Sequence, residues 1–309
     1  MLLQFLLLLL IVAVADRTIG RWLERMFYKQ THGDDQTTIY TLEKANEDIL
    51  VFGSSRASHH YVATDIEGGC KRSCFNCGRD NMSLTYINAV LPIIYARTSP
   101  KVVIIDILPT ELEASPGNAE SFQRIATVLL PFLHRYPALA STIELAGHAE
   151  YLKAKASAIY PYNSLVASIV QNAYTRMGHG TVNGYEALYG TIDSARYLTP
   201  TWKDFNTHNN PPDDILTEQL QHVIDLTKQH NTRLITIISP FYFKFDFSQS
   251  KSLIKIKELL SKNQCELYDF SVDSHFLKKP LLFNDDVHLN DSGAHIFTSS
   301  IIDIINARR

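Results

Sequence analysis

The chain has 309 residues, a formal net charge of −3 and a hydrophobic content of 45%. This length allows a full hydrophobic core, and we expect one α/β domain with a long insertion rather than two independent domains. The nearly balanced charge excludes the strongly basic surface of a nucleic-acid-binding protein and the acidic tail of a disordered region. We therefore expect a small molecule or a glycan as the partner and no nucleic acid.

The N-terminus begins with an almost wholly apolar run at residues 2–15, LLQFLLLLLIVAVA. The run is too rich in leucine for a core helix that opens a chain, so we expect a signal anchor over residues 1–24 that ties the protein to the membrane. A cleaved signal peptide is the alternative. The basic residues that follow the run by themselves favour a cytoplasmic position for that flank; they are Arg17, Arg21 and Arg25.

The domain proper is expected over residues 48–309, after a polar, turn-rich spacer at residues 25–47. It opens with ILVFGSSRASHHY at residues 49–61. An apolar, β-branched run ends at Gly53 and two serines follow, which is typical of a strand, a tight turn and the start of a helix. In open α/β sheets such strand ends line the ligand crevice. Ser55 is therefore a candidate nucleophile, but a serine needs a histidine base and a carboxylate from elsewhere in the chain.

A second strand is expected around residues 71–76, close to a group of cysteines. Cys70, Cys74 and Cys77 have the C-x3-C-x2-C spacing with which radical SAM enzymes hold an iron–sulfur cluster. Because alternate residues of a strand face opposite sides, we interpret them as small buried hydrophobic residues and expect no metal and no cofactor. A zinc site or disulfides that include Cys265 are the alternatives.

The remaining elements alternate between helices and strands. Residues 82–97 have helical periodicity with a kink expected at Pro92, and residues 102–108 form the near-continuous apolar run of a strand buried on both faces. Amphipathic stretches between residues 111 and 211 indicate a helical insertion that we expect to cover the crevice. Then follow, in chain order, a helix at residues 213–230, a strand at 233–239, a helix at 250–263 and a strand at 266–269. This alternation predicts an α/β fold with a flavodoxin-like, parallel five-stranded sheet sandwiched by helices, with the helical insertion between strands 3 and 4.

The C-terminal loop at residues 283–293, FNDDVHLNDSG, supplies the residues that Ser55 needs. Asp285 lies three residues before His288 and precedes an apolar helix. At this spacing the carboxylate can accept a hydrogen bond from one imidazole nitrogen while the other nitrogen faces the serine across the crevice. We therefore expect His288 to be the base and Asp285 to orient it.

Other residues compete for these two roles. Asp286 adjoins Asp285 and is a second candidate for the orienting acid. His59 and His60 are close in sequence to Ser55 and are alternative bases. A histidine on the turn directly after the nucleophile seldom reaches the hydroxyl from the side that proton transfer requires, so we favour His288.

Three motifs, in this order, resemble the SGNH/GDSL hydrolase superfamily: Gly53-Ser54-Ser55 after the first strand, Asn76-Cys77-Gly78 after the second, and Asp285-x-x-His288 before the last helix. The chain resembles a divergent branch, because Ser54 stands where the family usually has aspartate. The usual Gly-x-Asn-Asp block after the third strand is also missing, and that strand end offers Asp106 and Thr110 instead.

The resemblance implies a role for each matching residue. Ser55 is the nucleophile, His288 the base and Asp285 the orienting acid. The oxyanion hole is expected to contain the backbone N–H groups of Ser55 and Gly78 and the side chains of Asn76 and Asn81. Beside these, we expect Arg56 to bind an anionic or glycan group at the mouth of the crevice, unless it is a solvated helix residue.

The resemblance also implies a function. It suggests a serine esterase that acts on small acyl esters, such as acetyl groups on a cell-envelope or other polysaccharide, with the catalytic domain outside the cytoplasm. An O-acyltransferase is one alternative. A non-catalytic protein that binds glycan or a membrane acyltransferase partner is another.

Overall fold

The computed structural model describes residues 1–174, 181–193, 199 and 210–307. The chain divides into two compact units, unit 1 with Met1–Ile39 and Gly117–Gly180, and unit 2 with Tyr40–Pro116 and Thr181–Arg309. The α-helices are, in chain order, α1 (Leu2–Phe27), α2 (Gly33–Glu43), α3 (Ser55–His60), α4 (Ala63–Cys70), α5 (Leu84–Tyr95), α6 (Gly117–Leu129), α7 (Ala140–Glu144), α8 (His148–Ala156), α9 (Val166–Tyr174), α10 (Asp214–Gln229), α11 (Lys251–Lys262) and α12 (Asp291–Asn306). Short 3₁₀ helices lie at Leu130–Phe132, Pro137–Leu139, Tyr160–Leu165 and Pro280–Leu282.

Unit 2 contains a parallel, five-stranded sheet. Its strands are β1 (Ile49–Phe52), β2 (Cys74–Asn76), β3 (Val102–Asp106), β4 (Arg233–Ile238) and β5 (Glu266–Asp269). Their order across the sheet is β2-β1-β3-β4-β5. This is the strand order of flavodoxin-like folds, so the predicted fold class is confirmed.

The apolar composition of the central strands explains their position. Every residue of β1 and β3 is buried, as near-continuous apolar runs require in a sheet covered on both faces. Val51 of β1 lies beside Ile104 of β3, and both strands run in the same direction. Their carboxyl ends therefore open at the same edge of the sheet, on either side of the point where the strand order reverses, which is where open α/β sheets bind their ligands.

Helices α6, α7, α8 and α9 lie between β3 and β4 in the sequence, where the helical insertion is predicted. They belong to unit 1. Part of the predicted insertion, at residues 175–180, 194–198 and 200–209, lies outside the described residues.

The N-terminal helix α1 has two different halves. The side chains of residues 2–15 are exposed, and an 18-residue window of the helix has a mean hydropathy of 2.1. Such a helix is long and apolar enough to be a membrane anchor or a signal sequence. Toward its C-terminal end, Leu23 and Phe27 are buried within unit 1, and the Phe27 ring packs 5.5 Å from the ring of Phe132, measured between centroids.

The expectation of a turn-rich spacer at residues 25–47 is wrong, because most of this segment is helical. Helix α2 buries Thr41 and Leu42 in its second half, and Arg97 donates hydrogen bonds to the carbonyl groups of Leu42 and Ala45 at 2.7 and 2.9 Å. Several of the side chains that α2 buries are threonines, so the helix lacks the apolar period from which a helix is normally recognised.

The cysteines pack as apolar residues. Cys70, Cys74 and Cys77 are buried, Cys265 is half-buried, and none of these four cysteines forms a disulfide. Burial raises the pKa of the Cys74 and Cys77 thiols, which keeps them in the neutral form. Among the described residues, no group of histidine, cysteine, aspartate and glutamate side chains is arranged to hold a metal ion.

A glycine allows a later part of unit 2 to pass close to the edge strand β2. The Asn76 N–H donates to the carbonyl of Asn183 at 2.8 Å, and Gly184 follows with a φ of +81°. A Cβ atom on Gly184 would lie 1.8 Å from the Asn76 carbonyl oxygen. Only glycine fits here, because both the backbone angle and the close approach exclude a side chain.

We expect Gly184→Ala to lower the free energy of unfolding by about 3 kcal/mol or more, because it combines backbone strain with a steric clash. Gly33→Ala is the matched control, since Gly33 has a φ of +80° but nothing lies within 4 Å of the place that a Cβ atom would occupy. It should cost only the strain, about 1 kcal/mol. Urea unfolding of both variants measures the difference, and equal losses would contradict the close approach at β2.

Candidate active site

The structure brings Ser55, His288 and Asp285 together at the carboxyl edge of the sheet. The Oγ atom of Ser55 lies 2.8 Å from Nε2 of His288, although 233 positions separate them in the sequence. On the other side of the ring, Nδ1 lies 2.8 Å from Oδ2 of Asp285. The hydroxyl, imidazole and carboxylate therefore form a continuous hydrogen-bonded chain, which has the geometry of a Ser-His-Asp triad.

Asp285 is fixed by its own loop. Its Oδ1 atom accepts hydrogen bonds from the backbone N–H groups of Val287 and His288 at 2.9 and 2.8 Å. Burial raises the pKa of the Asp285 carboxyl, but the hydrogen bonds from the His288 ring and from both backbone groups outweigh burial and hold the pKa below its usual value. The ionised carboxylate favours a proton on Nδ1 of His288, which leaves Nε2 free to accept the Ser55 proton.

The neighbouring Asp286 does not take this role. Its side chain is buried, with 2% of the residue exposed, and its backbone carbonyl accepts a hydrogen bond from the N–H of Tyr242. The imidazole hydrogen bonds are made by Asp285. The structure therefore favours Asp285 over Asp286 as the orienting acid.

The turn between β1 and α3 depends on Gly53. This residue has a φ of +151°, and a Cβ atom on it would lie 2.8 Å from the Cβ of Ala57 and 2.9 Å from the carbonyl oxygen of Asp106. The turn places Ser55 at the first position of α3. The N–H group of a first helical residue has no acceptor within its helix, and that of Ser55 lies at the carboxyl edge of the sheet.

Two of the predicted oxyanion groups are already used inside the protein. The Gly78 N–H donates to Oδ1 of Asn76 at 2.9 Å, and Nδ2 of Asn76 donates to the carbonyls of Ala57 and Tyr61 at 2.7 and 3.0 Å. The structure therefore contradicts the expected oxyanion roles of Gly78 and Asn76. Asn76 instead connects the end of β2 to residues 57–61, the segment that follows Ser55. Asn81, the third expected donor, lies exposed in the following loop with a φ of +57°.

The expectation that Arg56 binds substrate at the mouth of the crevice is also wrong. The residue is 1% exposed, its Nε donates to the Ser239 hydroxyl at 3.0 Å, and the same nitrogen lies 3.8 Å from Oδ1 of Asp106. The guanidinium also lies over the ring of Phe241, 4.1 Å from its centroid. Arg56 therefore joins α3 to the ends of β3 and β4. At the end of β3, Asp106 also accepts a hydrogen bond from the Tyr61 hydroxyl at 2.6 Å and so faces the interior.

The histidines next to Ser55 make other contacts. Nδ1 of His59 lies 2.8 Å from the carbonyl oxygen of Glu186, and its Nε2 lies 3.6 Å from a carboxylate oxygen of Asp80. His60 is completely buried. Neither ring takes the place of His288 at the Ser55 hydroxyl, so the structure favours the histidine of the C-terminal loop.

Sequence reasoning missed a segment that holds the two loops of the site together. This segment, here called the strap, comprises residues 181–193. Within it, the Glu186 N–H donates a hydrogen bond to the carbonyl of Ser58 at 3.0 Å. Farther along, the Leu188 carbonyl accepts the N–H of Asp291 at 2.8 Å. These two contacts are made by backbone groups, which carry no residue pattern, and the Tyr185 hydroxyl of the strap adds a hydrogen bond to Asp291 at 2.9 Å. The sequence signals within the segment are Gly184, which the close approach at β2 requires, and Tyr185, which packs against Val62 and Ala294.

No model of a known protein family matches this chain, and no curated protein matches it. Among solved structures, the crystal structure of the acetyl xylan esterase AlAXEase is similar to this chain with a TM-score of 0.40 and 13% sequence identity. The similarity covers 83% of this chain and 99% of that chain. A likeness this distant does not bear on the activity, which the geometry of the site itself must support.

We expect Asn76→Ala to lower the free energy of unfolding by about 3 kcal/mol, because it leaves buried backbone groups without partners. Hydrolysis of p-nitrophenyl acetate should also become slower, because the segment that follows Ser55 loses its connection to β2. Asn81→Gly is the control and should leave stability nearly unchanged, because Asn81 is exposed and glycine adopts its backbone angle readily. An Asn76→Ala variant with full stability but reduced turnover would instead indicate an oxyanion donor.

Proposed function

We propose that this protein is a membrane-anchored serine esterase of the SGNH type that hydrolyses small acyl esters. The observation that supports this most directly is the hydrogen-bonded chain from the Ser55 hydroxyl through the His288 imidazole to the Asp285 carboxylate. An isolated serine hydroxyl is a weak nucleophile, and this arrangement is what makes it reactive.

In the proposed reaction, Oγ of Ser55 attacks the ester carbonyl while Nε2 of His288 takes the hydroxyl proton. The carbonyl oxygen becomes an oxyanion, and Asp285 stabilises the imidazolium that forms. Collapse of the intermediate breaks the ester bond, and the imidazolium gives its proton to the leaving alcohol. Water then attacks the acyl group on Ser55 by the same route, releases the acid and restores the enzyme.

We assign the N–H of Ser55 as an oxyanion donor, because it opens α3 at the carboxyl edge of the sheet. The N–H of Gly78 and the amide of Asn76 are engaged with each other. Loss of one oxyanion donor typically costs about 3 kcal/mol of transition-state stabilisation. We therefore expect slower turnover than in an esterase with a complete set of donors.

The substrate class follows from the resemblance noted in the sequence, which suggests acetyl esters on a polysaccharide of the cell envelope. The N-terminal helix would hold the enzyme at the membrane with its catalytic unit outside the cytoplasm. Contacts within unit 1 support retention of this helix: Asp16 accepts the backbone N–H of Ala158 at 2.8 Å, and a Cβ atom on Gly20 would lie 2.5 Å from the Ala158 carbonyl carbon. Cleavage at the end of the anchor would remove these contacts.

We expect Ser55→Ala and His288→Ala to reduce p-nitrophenyl acetate hydrolysis by the full chain in detergent to near background. Asp285→Asn should reduce it by roughly 10²- to 10⁴-fold, because an amide no longer favours the correct imidazole tautomer. Ser54→Ala is the matched control, since Ser54 precedes the nucleophile but makes no side-chain capping bond, and it should keep its activity.

A fluorophosphonate probe gives the independent check. It should label the wild-type protein and Ser54→Ala but not Ser55→Ala. Wild-type turnover in a folded Ser55→Ala protein would contradict the proposed triad. A folded wild-type protein that neither turns over nor labels would contradict the esterase proposal and would favour a binding protein.

We expect the mature protein to keep its N-terminal helix and to remain in the membrane fraction after extraction with alkaline carbonate. The buried contacts of Leu23 and Phe27 in unit 1 are the physical reason, because cleavage near residue 24 would separate Phe27 from the rest of its helix. Mass spectrometry of the intact protein measures the result. A soluble product that begins near residue 24 would identify the run as a cleaved signal peptide.

A further inference from the structure

His60 is a buried histidine that contacts the backbone next to His288. It is the last residue of α3 and is 0% exposed. Its Nε2 atom lies 3.0 Å from the backbone nitrogen of Leu289, and its Nδ1 atom lies 3.0 Å from the hydroxyl oxygen of Ser239. A backbone N–H can only donate, so Nε2 is the acceptor and the ring proton lies on Nδ1, which donates to Ser239.

The surroundings of His60 keep its ring neutral. Burial lowers the pKa of His60 well below its usual value, and the nearby Arg56, His288 and His59 lower it further. The ring edge also packs against Phe297, which offers no charge. A neutral ring with its proton on Nδ1 retains the lone pair that the Leu289 N–H needs.

Ser239 fixes the orientation of the ring from the sheet. It follows β4 and is completely buried, and Nε and one terminal nitrogen of Arg56 lie 3.0 and 2.6 Å from its hydroxyl oxygen. The two guanidinium nitrogens share the oxygen lone pair that His60 does not use. The Ser239 hydroxyl and N–H in turn hydrogen bond to the Asp106 carboxylate. His60 therefore connects the rigid ends of β3 and β4 to the C-terminal loop.

The hydrogen bond between His60 and Leu289 lies directly beside the backbone of His288. Leu289 is the next residue in the chain, and it pairs with Phe283 across the loop. The carbonyl of His288 accepts the N–H of Asn284 at 2.9 Å, which fixes one side of the same peptide. The N–H of the same peptide belongs to Leu289, and it donates its hydrogen bond to Nε2 of His60.

We propose that His60 is a positioning residue for His288: as an Nδ1-protonated ring held by Ser239, it accepts the Leu289 N–H and so keeps the His288 imidazole within reach of Ser55. This inference rests on the proposed esterase function for its catalytic consequence. The hydrogen bonds that define it are independent of that function.

Two substitutions of His60 separate its two hydrogen bonds. Glutamine places its terminal amide near the position of Nε2 and can accept the Leu289 N–H, whereas the shorter asparagine reaches only toward Ser239. We expect His60→Asn to lower kcat for p-nitrophenyl acetate by roughly 10- to 100-fold with little change in KM, because a small displacement of the base slows proton transfer. His60→Gln should instead retain most of the wild-type kcat.

The midpoint of thermal unfolding shows whether His60→Asn and His60→Gln are folded, and we expect both midpoints to be lowered to a similar degree. Equal kcat values in two folded variants would overturn the positioning role and would reduce His60 to a packing residue. If the wild-type protein itself neither hydrolyses the ester nor labels with fluorophosphonate, the proposed function fails, and that outcome is distinct from equal variants beside an active wild type.

Histidine NMR of the full wild-type chain in detergent tests the same proposal without turnover or a variant. At neutral pH the His60 ring should show the Nδ1-protonated neutral tautomer, and it should titrate at a lower pH than an ordinary histidine because burial lowers its pKa. A neutral ring with its proton on Nε2, or a ring already protonated at neutral pH, would overturn the proposal, because either leaves no acceptor for the Leu289 N–H.

Discussion

The polar side chains at the ends of β2, β3 and β4 all hydrogen bond to residues 56–61, the segment that follows Ser55. Asn76 donates to two carbonyls of this segment, Asp106 accepts from a hydroxyl, and Ser239 accepts from a guanidinium and an imidazole. All of these groups are buried, and each buried polar group without a partner costs about 1–3 kcal/mol. Any other path for the segment would leave several of them unpaired, so hydrogen-bond satisfaction fixes the position of Ser55.

Of the two hydrogen bonds in the proposed triad, the one between Ser55 and His288 joins distant parts of the chain. Asp285 and His288 lie on one short loop, where backbone N–H groups hold the carboxylate. The meeting of His288 with Ser55 is therefore the step that the fold has to provide. The parallel sheet brings the loop to the correct edge, and the strap and His60 attach it there. A local pair and a buried network together place the Ser55 hydroxyl beside the His288 imidazole, as the proposed esterase function requires.

The sequence predicted those features that depend on local pattern. Apolar runs located β1 and β3, and the spacing of Asp285 and His288 indicated their hydrogen bond because it is a local geometric relation. Features that depend on tertiary partners were missed. Arg56 was expected to be exposed, since nothing in the sequence shows that Ser239 and Asp106 would pair with it. The motif around Asn76 identified a residue close to Ser55, but it did not show that its side chain bonds to the backbone of the protein. Helix α2 was missed because several of the side chains that it buries are threonines.

The central claim is that His288 removes the Ser55 proton, and the pH dependence of the fluorophosphonate labelling rate tests it most directly. A protonated imidazole cannot accept a proton, so the account predicts that labelling of the wild-type protein slows as the pH is lowered. Asp285 does not cause this loss, because its pKa lies below its usual value and it stays ionised. His288→Ala should label slowly at every pH and without this inflection. A wild-type rate that is independent of pH, or equal to that of His288→Ala, would contradict the account.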